Sequence, residues 1–300
     1  MKKVKYFYVV CLILLVISCV SSKKQSLAKE VHVVLLGGQS NMAGHGDYNK
    51  LSDNVKRRIE AVSSRVLLST SNNEQIESRP LSYYISKDNK KYDFIKHFGP
   101  ELFIGLTLAE ANPNREYLLI KKAVGGTSLY GAWNVNWSAE KANISERGEA
   151  RKAMQLYSSH VKNIDIQLNK IVASGKSYKI LGMVWMQGES DTNKELTATS
   201  YRDNLYDLIS AYRTHLGLAK MPFVIGQINA LPRKYKEGPE LVRSAMQEVA
   251  NQDLKVSIVN TTNVKGWMDY PKHSDDLHYN YEGQKRLGKA FAACLMELNK

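Results

Sequence analysis

Residues 31–42 read Val31-His32-Val33-Val34-Leu35-Leu36-Gly37-Gly38-Gln39-Ser40-Asn41-Met42. The first six are almost continuously apolar and rich in β-branched residues and leucine, with no polar alternation; a strand buried on both faces reads this way, whereas one with a wet face would alternate. The pattern returns at residues 117–124, ending in Gly125-Gly126, and at 180–186, ending in Gln187-Gly188. Residues 223–228 and 255–259 supply a fourth and a fifth run. Helical periods fall between them, near 100–111, 148–173, 199–216, 239–252 and 282–298. Strands apolar on both faces and separated by helices predict an α/β fold, a three-layer α/β/α sandwich around a five-stranded parallel sheet. No Pro/Gly/Ser linker divides residues 31–300, so they are expected to form one domain. Residues 45–98 are less regular and rich in Tyr, Asn, Lys and Ser. They read as an insertion able to wall a site, with residues 65–69 a candidate extra strand.

Composition bounds the class. The chain has 300 residues, 43% apolar and 24% charged, which excludes disorder, a collagen-like chain and a multi-span membrane protein. Lys and Arg number 42 against 29 Asp and Glu, a net charge of +13. Such a surplus favours anionic surroundings. The basic pairs (Lys23-Lys24, Arg57-Arg58, Lys90-Lys91, Lys121-Lys122) are short and do not interleave with aromatics, so they read as solvated faces and no nucleic-acid partner is expected.

The amino terminus reads as an address. Lys2, Lys3 and Lys5 precede an apolar stretch over residues 6–17, too short to span a bilayer comfortably, and Ser18-Cys19 follow. Val16-Ile17-Ser18-Cys19 resembles the lipobox of bacterial lipoproteins, which implies cleavage after residue 18 and lipidation of Cys19. An ordinary signal peptide, or an uncleaved anchor, is the alternative. On the lipoprotein reading, residues 1–18 are a signal peptide and 19–30 a polar tether, and the charge falls to +10. The protein would be exported and held by lipid in the periplasm or at the cell surface. With Cys11 discarded and Cys19 acylated, Cys294 is left alone and reads as a structural thiol; no intramolecular disulfide can form.

In a sheet of this kind ligands bind beyond the carboxyl ends of the strands. Polar residues capable of chemistry cluster there: Gly38-Gln39-Ser40-Asn41-Met42, then Ala123-Val124-Gly125-Gly126-Thr127-Ser128, then Trp185-Met186-Gln187-Gly188-Glu189-Ser190-Asp191. The loop before the last helix holds Asp275-Asp276-Leu277-His278. These four blocks, in this order, resemble the SGNH hydrolase superfamily, and within it the carbohydrate-esterase family 6 group of sialate O-acetylesterase-like and acetylxylan esterase-like proteins. The resemblance spans residues 31–298.

Taken alone, Ser40 would serve equally as a helix cap, His278 as a loop histidine and Gly125-Gly126 as a plain turn. Joined, they imply nucleophilic catalysis. A serine hydroxyl needs an adjacent base, and His278 fits that role. Asp275, three residues earlier, can reach back to Nδ1 and fix the tautomer. Glu189 and Asp276 remain competitors for that carboxylate. By the resemblance, the oxyanion donors are the Ser40 N–H, a backbone N–H of the turn, with Gly126 favoured over Gly125, and the Gln187 side-chain amide. Gln39, Asn41, Gly125 and Glu189 would support them. The superfamily mostly carries Asn where Gln187 stands; Gln is usual in family 6.

No HExxH, CxxC or paired-histidine spacing suggests a metal, no glycine-rich nucleotide loop is present, and the implied hydrolysis needs no cofactor. His32, His97, His160 and His215 read as structural. Trp133, Trp137, Trp267 and Tyr270 flank the motifs and would either stack on sugar rings or pack. The expectation is therefore a serine esterase removing O-acetyl groups from a glycan, with acetylated xylan-type oligosaccharides and O-acetylated sialic acid the two leading substrates. A deacylase acting on another acyl carrier and a non-catalytic glycan-binding lipoprotein are the alternatives. Oligomeric state is not legible.

Overall fold

β1 (Glu30–Gly38) lies inside the sheet, paired in parallel with β7 (Glu116–Ala123) on one side and β8 (Ser177–Met186) on the other. Its uninterrupted apolar sequence follows from that place. Val33 and Leu35 enter one core, Val34 and Leu36 the other, and all four are fully buried. The structure, a computed structural model, describes residues 30–70, 77–86 and 91–300. The signal segment, Cys19 and the tether up to residue 29 lie outside the described residues.

Beyond β7 the sheet continues through β3 (Val66–Ser69) to β4 (Arg79–Pro80), and beyond β8 through β9 (Phe223–Gly226) to β10 (Val256–Val259). The order is β10-β9-β8-β1-β7-β3-β4, parallel throughout except for the antiparallel edge strand β4. The expected three-layer α/β/α sandwich is thus present, with seven strands instead of five. Both additional strands come from the insertion: residues 66–69 extend the ladder beside β7, and Arg79-Pro80 closes its edge, where a proline lacking an N–H is tolerated. The rest of the insertion folds into a second sheet in the order β2-β6-β5, from β2 (Gly46–Asp47), β5 (Tyr84–Ile85) and β6 (Lys96–Phe98).

Helices cover both faces. α6 (Leu156–Ala173), α8 (Tyr201–Leu216) and α9 (Gly238–Gln252) pack on Val33, Leu35, Met183, Trp185 and Phe223. On the other face α2 (Asp53–Ser63), α3 (Glu101–Ala111) and α10 (Tyr281–Leu298) meet Val34, Leu36, Val184 and Met186. Short helices α1 (Ser40–Ala43), α4 (Ala139–Ser145), α5 (Glu149–Lys152) and α7 (Glu195–Thr199) lie in the loops. The single helix expected over 148–173 is therefore two. Gln155 takes φ −119° and ψ 77°, and the Leu156 N–H bonds Ala132 O at 2.7 Å instead of continuing a turn.

α3 is buried around most of its circumference, which places Glu101, 1% exposed, in the interior. Lys121 of β7 answers it: Nζ lies 2.7 Å from Glu101 Oε2 and 2.9 Å from Ala43 O, at the end of α1. Burial pulls the ammonium pKa down, and Glu101 opposes that pull. Cutting a buried pair on one side leaves an uncompensated charge. Lys121→Ala is expected to destabilise by about 3–5 kcal/mol in urea denaturation. Arg58→Ala, which breaks the exposed Arg58–Glu110 pair, is expected to cost no more than ~1 kcal/mol. Equal effects of the two substitutions would contradict this reading of the core.

Candidate active site

Three strands end side by side. Gly38 is in register with both Ala123 of β7 and Met186 of β8. The Gln39 N–H donates to Met186 O at 3.0 Å and the Val124 N–H to Gly38 O at 3.2 Å, tying the segments that leave the sheet. A Cβ on Gly38 would stand 2.1 Å from Met186 O, so only glycine permits this approach. The chain runs from β1 outward to β7 and returns to β8 on the opposite side, making this edge the topological switch point where such sheets bind ligands.

Ser40 is the first residue of α1, so its N–H has no acceptor one turn earlier in the helix. Gly125 faces it: a Cβ there would lie 3.5 Å from Ser40 Cβ. Gly126 holds φ +74°, a left-handed conformation costly for any side chain, and turns its α-carbon towards the Arg151 guanidinium.

His278 arrives on a loop clamped at its base. The Asn280 N–H bonds Pro271 O at 3.0 Å and the His273 N–H bonds His278 O at 2.9 Å. Asn280 Oδ1 then caps α10 through the N–H groups of Glu282 and Gly283. Within the loop, Asp275 Oδ1 accepts the backbone N–H groups of Leu277 and His278, each at 2.9 Å. Its Oδ2 lies 2.6 Å from His278 Nδ1 and 2.5 Å from Lys91 Nζ. Burial alone would raise the Asp275 pKa; the hydrogen bonds from His278 and Lys91 outweigh it and hold the carboxyl well below the usual range. The two competing acids go elsewhere. Asp276 binds Trp267 Nε1 at 2.9 Å and pairs with Lys265, and Glu189 Oε1 accepts Asn41 Nδ2 at 2.7 Å.

Asn41 joins the blocks. Its Nδ2 also reaches Leu277 O at 3.3 Å, its Oδ1 accepts the Tyr279 N–H at 3.2 Å, and its carbonyl accepts Gln284 Nε2. The residue after Ser40 thereby holds the His278 loop in place.

Gln187 is held by protein acceptors. It is fully buried and not among the described lining residues of the cavity below, and its Nε2 donates to Asp191 Oδ2 at 2.6 Å, Thr127 O at 3.0 Å and Gln39 Oε1 at 3.3 Å. Tyr201 OH bonds the Gln187 carbonyl from behind at 2.7 Å. Asp191 is a buried carboxylate that also accepts the N–H groups of Leu129 and Tyr130. Burial pushes Asp191 up to about 7 against the pull of these donors. Gln187 is thus a strut behind the site.

Ser40, His278, Gln39, Gly125, Gly126 and Glu189 line one cavity of about 530 Å³. Five cations also reach it: Arg147, Arg151, Lys194, Arg233 and Lys234. Its other acid, Glu146, is buried and accepts the Ser128 hydroxyl at 2.6 Å and the N–H groups of Ser128 and Ala132, each at 2.9 Å. His45 stands over His278 with ring centroids 4.5 Å apart. Burial, then the neighbouring His278 and His97 rings, push His45 down to about 3, so it is neutral. The cations, Lys91 and His45 carry no sequence signal of their own; Lys91 sits in a basic pair that read as a solvated face. None of Trp133, Trp137, Trp267 and Tyr270 is among the described lining residues. Trp133 packs edge-on against Trp185 at 4.9 Å in the core, and Lys272 covers the Trp267 ring. His160 is structural, held by Tyr212 OH at 2.7 Å and Ile120 O at 3.1 Å.

No curated protein sequence matches this chain. Among solved structures, a protein from Arabidopsis thaliana superposes with TM-score 0.63 at 21% identity, over 89% of this chain and 98% of the other. NanS superposes with TM-score 0.61 at 16% identity, over 90% and 98%. A carbohydrate acetylesterase from Xanthomonas citri gives TM-score 0.57 at 17% identity, over 89% of this chain and 56% of that one. At these identities the likeness establishes the fold. Residues 30–297 match the family described as carbohydrate esterase, sialic acid-specific acetylesterase. The chain belongs to that family and is a carboxylic ester hydrolase.

Proposed function

We propose that the protein removes O-acetyl groups from a carbohydrate through Ser40, His278 and Asp275. The observation that carries this reading is the 2.6 Å contact between Asp275 and His278 Nδ1, on a loop that brings the imidazole to the cavity lined by Ser40. Asp275 fixes the tautomer with Nε2 free to act as base and stabilises the imidazolium that forms. His278 takes the Ser40 proton as Oγ attacks the acetyl carbonyl carbon, and passes it to the departing sugar oxygen. Water, deprotonated by the same imidazole, then attacks the acetyl-enzyme and releases acetate. The Ser40 and Gly126 N–H groups hold the oxyanion, and a Ser40–His278 hydrogen bond forms as substrate enters.

Apart from the two glycines, Ile144 and Leu277 are the apolar residues lining the cavity, which suits a short acyl group on a polar carrier. Between the two substrate classes, the cations favour an acidic sugar such as an O-acetylated sialic acid. Arg151 supports this most strongly. It lies against Gly126, and among the described residues no carboxylate pairs with it; its Nη1 bonds only Arg147 O. The family description points the same way. We further propose, from residues 1–19 alone, that the enzyme is exported and anchored through lipid on Cys19, and we place it in carbohydrate-esterase family 6.

Acetate release by the chain from residue 20 onward, on O-acetylated sialic acid and acetylated xylo-oligosaccharide, tests this reading. Ser40→Ala is expected to abolish it. Asp275→Asn should lower kcat by about 10⁴-fold. Glu189→Gln, whose oxygen still meets Asn41, should cost less than about tenfold, far below the loss expected of a group orienting the base. The reverse order would transfer the acidic role to Glu189. Arg151→Ala is expected to raise KM for the sialic acid ester roughly tenfold, the equivalent of one charge-assisted hydrogen bond, and to leave the xylo-oligosaccharide unaffected. A uniform effect would remove the carboxylate from the account.

A further inference from the structure

The side chain that faces the cavity beside Ser40 is Gln39. It is only 3% exposed, yet it lines the cavity. Its Oε1 is held from behind by two donors, Gln187 Nε2 at 3.3 Å and the Ser190 backbone N–H at 3.3 Å. An amide presents its oxygen and its NH2 in diverging directions, so fixing Oε1 at the rear turns Nε2 forward. Among the described residues no protein acceptor takes Nε2, and Nε2 is not sealed from solvent as the buried orphan atoms are. A polar donor fixed in place and open to the cavity is available to an acceptor that arrives with the ligand.

We propose that Gln39 is a catalytic residue, the side-chain donor that holds the oxyanion alongside the backbone N–H groups of Ser40 and Gly126. In this arrangement Gln187 and Asp191 are positioning residues that act through it. Asp191 Oδ2 fixes Gln187 Nε2 at 2.6 Å, Gln187 Nε2 and the Ser190 N–H fix Gln39 Oε1, and Gln39 Nε2 is presented to the acetyl oxygen. No proton moves along this line: each amide keeps its own hydrogens, and the negative charge that grows on the carbonyl oxygen meets a donor already aimed at it. The inference rests on the esterase reading above and adds a third donor to it. It also accounts for a buried carboxylate that the proton transfers do not use.

The test is steady-state kinetics on an aryl acetate, whose leaving group needs no sugar contacts, with the rate of inactivation by an aryl phosphonate as a second readout. The phosphonate adduct on Ser40 is tetrahedral and places an oxygen where the oxyanion forms. Gln39→Ala and Gln39→Glu are both expected to lower kcat by about 10²-fold or more, the usual cost of one oxyanion donor, with KM changed less than about threefold. The Glu variant keeps an oxygen for Gln187 and Ser190 but sets a negative charge where the NH2 stood, so its loss should exceed that of Gln39→Ala if this atom faces the oxyanion, whereas a purely packing role would make the smaller Ala variant the worse of the two. Phosphonate inactivation should slow in proportion. Gln187→Leu leaves the Ser190 anchor and should cost about tenfold or less, below the loss of a direct donor. A Gln39→Ala enzyme with kcat within about threefold of wild type, beside a loss of about 10²-fold in Gln187→Leu, would make Gln187 the donor and overturn the inference. Retained kcat in both variants would overturn it too, leaving backbone donors alone. Full activity in Ser40→Ala would instead sink the proposed function itself.

Discussion

The flush carboxyl edge of β1 between β7 and β8 is the constraint on which the molecule depends. Parallel pairing sets Gly38 level with both Ala123 and Met186, and the backbone bonds of Gln39 and Val124 carry that register one residue beyond the ladder. A slip of one residue along β1 would exchange Val33 and Leu35 with Val34 and Leu36 between the two cores. It would also carry Ser40 away from Gly125. The same packing that stabilises the sheet therefore sets where the reacting atoms stand, and the buried Lys121–Glu101 pair reinforces it from beneath by holding the Ala43 carbonyl.

Four acids near the site are separated by their surroundings. Asp275, reached by His278 and Lys91, is held ionised beside the imidazole. Glu189 binds Asn41 and so couples the Ser40 turn to the His278 loop. Glu146 and Asp191 accept backbone N–H groups of residues 128–132 and fix the loop that follows Gly126. Only the first touches a group able to carry a proton in the reaction; Glu146 and Asp191 make the turn between β7 and α4 rigid, and Glu189 holds Asn41. Rigid donors cost no reorganisation as charge develops, which is where a preorganised site gains most of its effect.

The three layers were legible because a buried parallel strand is mostly apolar on both faces, and residues 31–36, 117–120 and 180–186 are. β3 and β4 were harder to read: four residues and two residues are too short to show a period, and they form because β7 offers an unpaired edge. Ser40, Gly126, Asp275 and His278 stood in motifs at strand ends or in the loop before the last helix, where α/β topology expects chemistry. Gln187 was identified as a site residue, but its partners were not legible: its motif does not state that Asp191, four residues on, accepts from the amide. Arg151 and Lys91 were silent. Each reaches the site through tertiary folding, from the short helix after residue 148 and from the insertion, with nothing in its local sequence to separate it from a solvated cation.

The central claim is that the end of β1 delivers an activated nucleophile. Labelling with a fluorophosphonate, followed by mass mapping of the modified peptide, tests it without any assumption about the sugar. The account predicts a single modified residue, Ser40, with labelling abolished in Ser40→Ala and strongly slowed in His278→Ala. Acetate release by an enzyme whose label maps to another serine, or undiminished labelling in His278→Ala, would contradict it.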